Sequence, residues 1–152
     1  MEVYVPRILI VEARFYEHFS CMLLEGCIDV LKKKNISWNS VVTPGVLEIP
    51  AAVNMAINAV KHGITEPYNG IIVLGVVIKG ETLHHEMIGH AVTRSLVDIS
   101  VRDYSLPIGN GIIVVDNEKQ ANERASASHL DRGGFAARSV LKMIELKKSL
   151  SQ

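Results

Sequence analysis

Four short apolar runs alternate along this chain with longer amphipathic stretches. Residues 7–12, Gly70–Ile78 and 111–116 are brief and rich in Ile and Val, Trp38–Thr43 is a short run with two Val, and all four read as strands. A helix is predicted over 16–34, where Phe19, Leu23, Cys27, Val30 and Leu31 share one face. A second begins near Pro50, a residue suited to a first helical turn, and stops near His62-Gly63. It is apolar almost all round, so it needs cover on more than one side, and a partner subunit is one source of cover. A third helix is expected over 82–103 and a fourth over 118–127, the latter capped by Asn117. A break at 130–134 precedes a last helix over 135–150, with Ala137, Val140, Leu141 and Ile144 as its apolar stripe.

Strict alternation of this kind predicts an α/β fold. The expected form is a three-layer αβα sandwich, a four-stranded parallel sheet with helices on both faces and right-handed crossovers. The near-continuous apolar strands agree, because a parallel sheet is buried on both sides. A single domain over 1–152 is expected, with a length that can bury a sizeable core.

Residues 71–90 carry the densest chemistry. The apolar strand passes through Lys79-Gly80 into a polar segment with Glu81, Thr82, His84, His85 and Glu86. In an open α/β sheet the carboxyl end of a strand is where small ligands bind. A helix start offers N–H groups and a positive dipole end to an anion, and a histidine there can move protons near neutral pH.

Composition removes several functions. Formal net charge is zero, with 16 basic and 16 acidic residues, so no basic face recommends nucleic acid as a partner. No apolar run reaches membrane-spanning length. The first residues lack a basic n-region, so no signal peptide is expected and a cytoplasmic location is. Cys21 and Cys27 fall on different faces of one helix, which favours reduced thiols. Lys32, Lys33 and Lys34 read as a solvated helix end.

Three motifs fail on inspection. Gly75 to Thr82 has the glycine spacing of a phosphate loop, but Glu81 stands where the lysine should be. His85 and His90 are five apart, about 500° along a helix, and cannot form a zinc pair. Gly109-Asn110-Gly111 is expected to precede a strand, the reverse of a dinucleotide fingerprint.

What remains is a set of polar groups at or near strand carboxyl ends: Arg14 and Phe15, then Glu48, then Glu81, Thr82 and His84. Arg124 and Arg132 follow later, and periodicity does not place them. Taken singly, each arginine could be a surface ion-pair partner, and His84 a solvent-facing or capping residue.

The combination resembles the 6,7-dimethyl-8-ribityllumazine synthase family of riboflavin biosynthesis. The matching pieces are Glu12-Ala-Arg-Phe-Tyr16, Thr43-Pro-Gly-Val-Leu-Glu-Ile-Pro50, Leu74-Gly-Val-Val-Ile-Lys-Gly-Glu-Thr-Leu-His84, Asp116-Asn-Glu-Lys-Gln-Ala121 with Glu123-Arg124, and Gly133-Gly-Phe-Ala-Ala137. They occur in family order and spacing. The resemblance implies a flavodoxin-like fold. It also implies condensation of 5-amino-6-(D-ribitylamino)uracil with 3,4-dihydroxy-2-butanone 4-phosphate, without metal or organic cofactor.

On that resemblance His84 is the general acid/base, and His85 is its helix neighbour. Phe15 stacks on the pyrimidine, Val46, Leu47 and Glu48 line the ring and ribityl pocket, and Val76, Val77 and Ile78 read the ring's edge. Gly80, Glu81, Thr82 and Arg124 hold the phosphate, with Arg132 in a supporting role. Many relatives carry an aromatic from the adjacent subunit where this chain has Asn110, so a polar contact is expected there instead. The family implies a homopentamer with sites between subunits; pentamers can stay single, pair, or close into a sixty-subunit shell. Residues 126–131 match in length, but not in composition, a turn found in many shell-forming members.

Two other classes fit less well. A non-catalytic lumazine- or flavin-binding protein would need neither His84 nor Arg124. An electron carrier would be more acidic, and a receiver domain would need clustered aspartates after the first strand, where this chain has Glu12-Ala13-Arg14.

Overall fold

The computed structural model describes residues 5–102 and 106–151. Strand β1 is Ile8–Ala13, β2 Trp38–Thr43, β3 Gly70–Ile78 and β4 Ile108–Val115. Helix α1 is Glu17–Lys33, α2 Ile49–Lys61, α3 His84–Val101, α4 Glu118–Ala125 and α5 Arg132–Leu150, and a 3-10 turn over Val46–Glu48 leads into α2. The four strands pair in parallel in the order β2-β1-β3-β4. The expected α/β architecture is present.

Side-chain alternation sorts the core into two layers. Ile8, Ile10, Ile72, Leu74, Val76, Ile113 and Val115 pack with Phe19, Leu23, Cys27 and Leu31 of α1, Ala121 and Ala125 of α4, and Ala137, Val140 and Ile144 of α5. Leu9, Val11, Ala13, Ile71, Val73 and Val77 turn the other way, against Val46, Ile49 and Val53 and against Val92 and Leu96 of α3. The predicted faces of α1 and α5 are therefore the buried ones; Val30 alone is half-buried. Of α2, only Ile49 and Val53 are buried within one chain, and Met55 stands 69% exposed. The rest of its apolar surface is half-buried or exposed.

Four boundaries differ from the sequence reading by two or more residues. Strand β4 begins three residues before the expected Gly111, so Gly109-Asn110-Gly111 lies inside a strand. Packing requires the first of these glycines: a Cβ on Gly109 would lie 2.2 Å from the Ala136 carbonyl oxygen. Helix α5 begins at Arg132, earlier than expected, with Asp131 as its N-cap in a left-handed conformation (φ 46°). The Asp131 carboxylate accepts from the Gly134 N–H at 3.1 Å, so the two glycines sit in a capped first turn. Helix α3 starts at His84 instead of Thr82, and its expected end at 103 lies outside the described residues. Helix α4 ends at Ala125, two residues early, while Asn117 caps it as expected by accepting from the Gln120 N–H at 2.9 Å.

Candidate active site

Strand order locates the site before any side chain is considered. The chain leaves β1 toward β2 and leaves β3 toward β4, in opposite directions along the sheet. The carboxyl ends of β1 and β3 thus flank the topological switch point, the crevice where doubly wound sheets bind ligands. Arg14 and Phe15 follow β1, and residues 79–84 follow β3. The turn after β2 joins them. Thr43 donates its hydroxyl to the Gly45 carbonyl at 2.8 Å. Val46 then packs so closely on β3 that a Cβ on Gly75 would lie 2.7 Å from its Cγ2. That contact brings Leu47 and Glu48, both exposed, to the same edge.

Pairing of β3 is uneven at this end. The β1 ladder stops at Glu12 opposite Leu74, whereas the β4 ladder runs on to Ile78 opposite Val115. Val76, Val77 and Ile78 therefore extend past β1 with that side open. Val76 and Val77 bury their side chains in opposite layers, leaving their backbone for any edge-on contact. Past Ile78, Gly80 has no atom within 4 Å of a would-be Cβ, so a ligand can approach its backbone closely. Glu81, Thr82 and His84 are exposed. The N-cap residue of α3, Leu83, offers no side-chain bond, and the Thr82 hydroxyl takes the His84 N–H at 3.2 Å instead. His85, only 6% exposed, turns inward, and its Nδ1 has no hydrogen-bond partner among the described residues.

The other expected residues lie elsewhere in the same chain. Asn110 pairs in register with Val73, five residues below the end of β4, roughly 16 Å along the strand from the carboxyl edge. Its exposed side chain accepts from the Ile112 N–H at 2.9 Å. Arg124 sits in the last turn of α4, half-buried, with Nη1 directed at the Gln120 carbonyl at 3.5 Å. Arg132 opens α5, its guanidinium 4.2 Å from the centre of the Phe135 ring. Helices α4 and α5 cover the sheet face opposite α2 and α3. One chain therefore presents two groups: Phe15, Val46, Leu47, Glu48, Val76, Val77, Ile78, Gly80, Glu81, Thr82 and His84 at the switch point, and Asn110, Arg124 and Arg132 away from it.

Over this arrangement, residues 6–148 match the family described as 6,7-dimethyl-8-ribityllumazine synthase. The chain belongs to that family. It is 48% identical over 145 residues to the 6,7-dimethyl-8-ribityllumazine synthase of Agrobacterium fabrum, covering 95% of this chain and 97% of that one. It is 46% identical over 143 residues to 6,7-dimethyl-8-ribityllumazine synthase 1 of Rhizobium meliloti, covering 94% and 92%. For the enzyme of Bartonella tribocorum the figures are 47% over 143 residues, 94% and 91%. The segments that carry the resemblance in sequence fall on β1, β3 and the switch-point loops, on α4 and at the start of α5.

Sequence reasoning missed one feature here, the role of Arg14. Its Nη1 donates to Glu12, its Nε and Nη2 donate to Glu17 Oε1 at 3.1 and 2.8 Å, and Nη2 also donates to Cys21 Sγ at 2.9 Å. Hydrogen bonding to Glu17, then to Glu12, raises the guanidinium's pKa above its ordinary value, and Arg14 in turn holds the Glu17 carboxyl below its own. The spacing Glu12-x-Arg14-x-x-Glu17 was the available signal. A separate cavity of about 630 Å³ opens near the amino-terminal edge of the sheet, lined by residues that include Ile57, Tyr68, Ile71 and Ile99. It is remote from the loops above. Among the described residues no group of three His, Cys, Asp or Glu side chains could hold a metal ion, and no helix is long and apolar enough to cross a membrane.

Proposed function

We propose that this protein is the transferase that condenses 5-amino-6-(D-ribitylamino)uracil with 3,4-dihydroxy-2-butanone 4-phosphate to 6,7-dimethyl-8-ribityllumazine. Family membership across residues 6–148 carries the reading, and the open, polar switch point is the geometry that accommodates it.

The chemistry runs on proton transfers. The aromatic amine adds to the ketone, and the carbinolamine loses its hydroxyl as water to give a Schiff base. Loss of a carbon-bound proton then expels inorganic phosphate. The ribitylamino nitrogen closes the ring on the carbonyl formed, and a second water leaves. His84, exposed at the start of α3, is the group proposed to give and take these protons. The open Gly80 backbone, the Thr82 hydroxyl and the α3 N-terminus suit the phosphate. Phe15 offers a face for the pyrimidine, Leu47 and Glu48 a wall and an acceptor for the ribityl chain, with Val46 buried beneath them. Arg124 suits the phosphate through its planar fork.

The division of these residues into two groups supports a site built between chains, as does the uncovered apolar surface of Leu47, Met55 and Leu83. A homopentamer in which Asn110, Arg124 and Arg132 of one copy meet the switch point of the next satisfies both. Asn110 then presents an amide where an aromatic would stack. Pentamer pairs or closed shells are the larger forms of the same contact, and the cytoplasm is the proposed compartment. Mixing purified protein with both substrates should produce lumazine absorbance with stoichiometric phosphate release. Binding of lumazine without turnover would favour a non-catalytic member instead. Light scattering should return at least five chain masses.

A further inference from the structure

We infer that Arg14 is a positioning residue, one that fixes the Phe15 ring for the pyrimidine substrate and takes no part in holding phosphate. The inference rests on the proposed role of Phe15 and extends it.

Phe15 is 76% exposed, and its ring meets Tyr16 edge-on at 5.0 Å between centroids with the planes at 78°. A ring so uncovered takes its direction chiefly from the backbone that carries it. That backbone is the junction between β1 and α1, and the helix start is weakly capped: the N-cap residue Tyr16 contributes no side-chain hydrogen bond. The Arg14 guanidinium supplies what the cap lacks. It reaches Glu12, inside the strand and 3% exposed, and Glu17, the first residue of the helix, so its partners flank Phe15 on both sides in sequence. Its contact with Cys21 carries the tie into the second helical turn. Ser20 adds a strap by donating its hydroxyl to the Ala13 carbonyl at 3.2 Å.

The same contacts separate Arg14 from the anion-binding arginines. All three of its nitrogens are engaged with protein acceptors. Two carboxylates face one guanidinium, leaving the cluster with a net negative charge. A phosphate gains nothing there. Lysine keeps the charge but, as a single compact ammonium, cannot span Glu12 and Glu17 with a planar fork.

The test is a double-mutant cycle on the assembled enzyme, reading KM for each substrate separately and the dissociation constant for the product lumazine. Arg14→Lys should raise KM for the pyrimidine by about three- to tenfold, the range set by loss of an oriented aromatic contact. KM for the phosphate substrate and kcat at saturation should stay within about twofold. Phe15→Leu should produce the same shift, and the double variant no more than either single one. Glu17→Gln, which keeps an acceptor oxygen, should fall between Arg14→Lys and the parent. It also serves as the readout should Arg14→Lys fail to fold. Additive effects of Arg14→Lys and Phe15→Leu would overturn the clamp while leaving the role of Phe15 intact. A matching rise in KM for the phosphate substrate would make Arg14 an anion ligand and overturn it too. Phe15→Leu with unchanged pyrimidine KM would overturn the stacking role on which the inference depends.

Discussion

The backbone N–H of His84 donates to the hydroxyl of Thr82 at 3.2 Å. The residue proposed to move protons is therefore tied to the loop proposed to hold phosphate, two positions earlier. Thr82→Val, equal in shape, removes that acceptor at the start of α3. It should cost about 0.5–1 kcal/mol in urea unfolding, whereas Thr82→Ser should retain stability. Equal stability of the two variants would show that the bond does not hold the helix start.

Close packing of α1 on α5 gives a second expectation. A Cβ on Gly133 would lie 2.0 Å from the Leu23 carbonyl oxygen, a backbone atom that cannot step aside. Gly133→Ala should therefore destabilise by roughly 1–3 kcal/mol, the range for overpacked cores. Denaturant midpoints should show the loss with an unchanged slope. A neutral outcome would mean that the two helices separate easily.

The two cysteines should differ sharply. Burial, with the negative charges of Glu12 and Asp131, pushes the Cys27 thiol up to about 12, while Cys21 lies exposed on α1. A thiol reagent at pH 8 should label Cys21 in the native protein and Cys27 only after unfolding. The folded pKa is the raised one, so the stabilisation from a neutral Cys27 is complete below the free-thiol value of about 8.5 and declines as pH climbs from there toward 12. Cys27→Ala should flatten that alkaline decline.

Glu17 provides the acidic counterpart. Its carboxyl is held below the ordinary value of 4.5 by the hydrogen bond from Arg14. The sign is that of a depressed carboxylate: the stabilising pair is present above the ordinary range and fades as pH falls through the lowered value. Side-chain carbon shifts should report this titration directly, and Arg14→Met should return it to the ordinary range. A Glu17 titration unaffected by Arg14→Met would contradict the pairing.

Much of the fold was legible because its signals were local. Strand β3 occupies Gly70–Ile78 as its unbroken apolar run requires, and Asn117 caps α4 as its position suggests. The misjudged starts of β4 and α5 share one cause. Gly109, Gly111 and Gly133 look like chain breaks in sequence, yet they sit where another element approaches too closely for a Cβ, and Gly134 lies against the Asp131 cap of its own helix. Only the packed structure distinguishes a glycine that turns the chain from one that admits a neighbour. Strand order was likewise silent, because nothing in the periodicity says that β1 lies between β2 and β3.

At the candidate site the short motifs revealed residue types but not their grouping. Residues 79–84 are contiguous and fall together of necessity. Arg124 and Arg132 belong to helices on the other sheet face, and Asn110 to an edge strand, so the proposed meeting with His84 calls for a second copy of the chain. Arg14 looked in sequence like one more candidate cation at a strand end. Its commitment to Glu12 and Glu17 appears only when the β1–α1 junction is folded.

The most direct measurement is steady-state turnover of His84→Ala beside equilibrium binding of the pyrimidine substrate. If this imidazole carries the proton transfers, kcat should fall by about 10²- to 10⁴-fold while pyrimidine affinity stays within about twofold. Full-rate lumazine formation by the alanine variant would contradict the account.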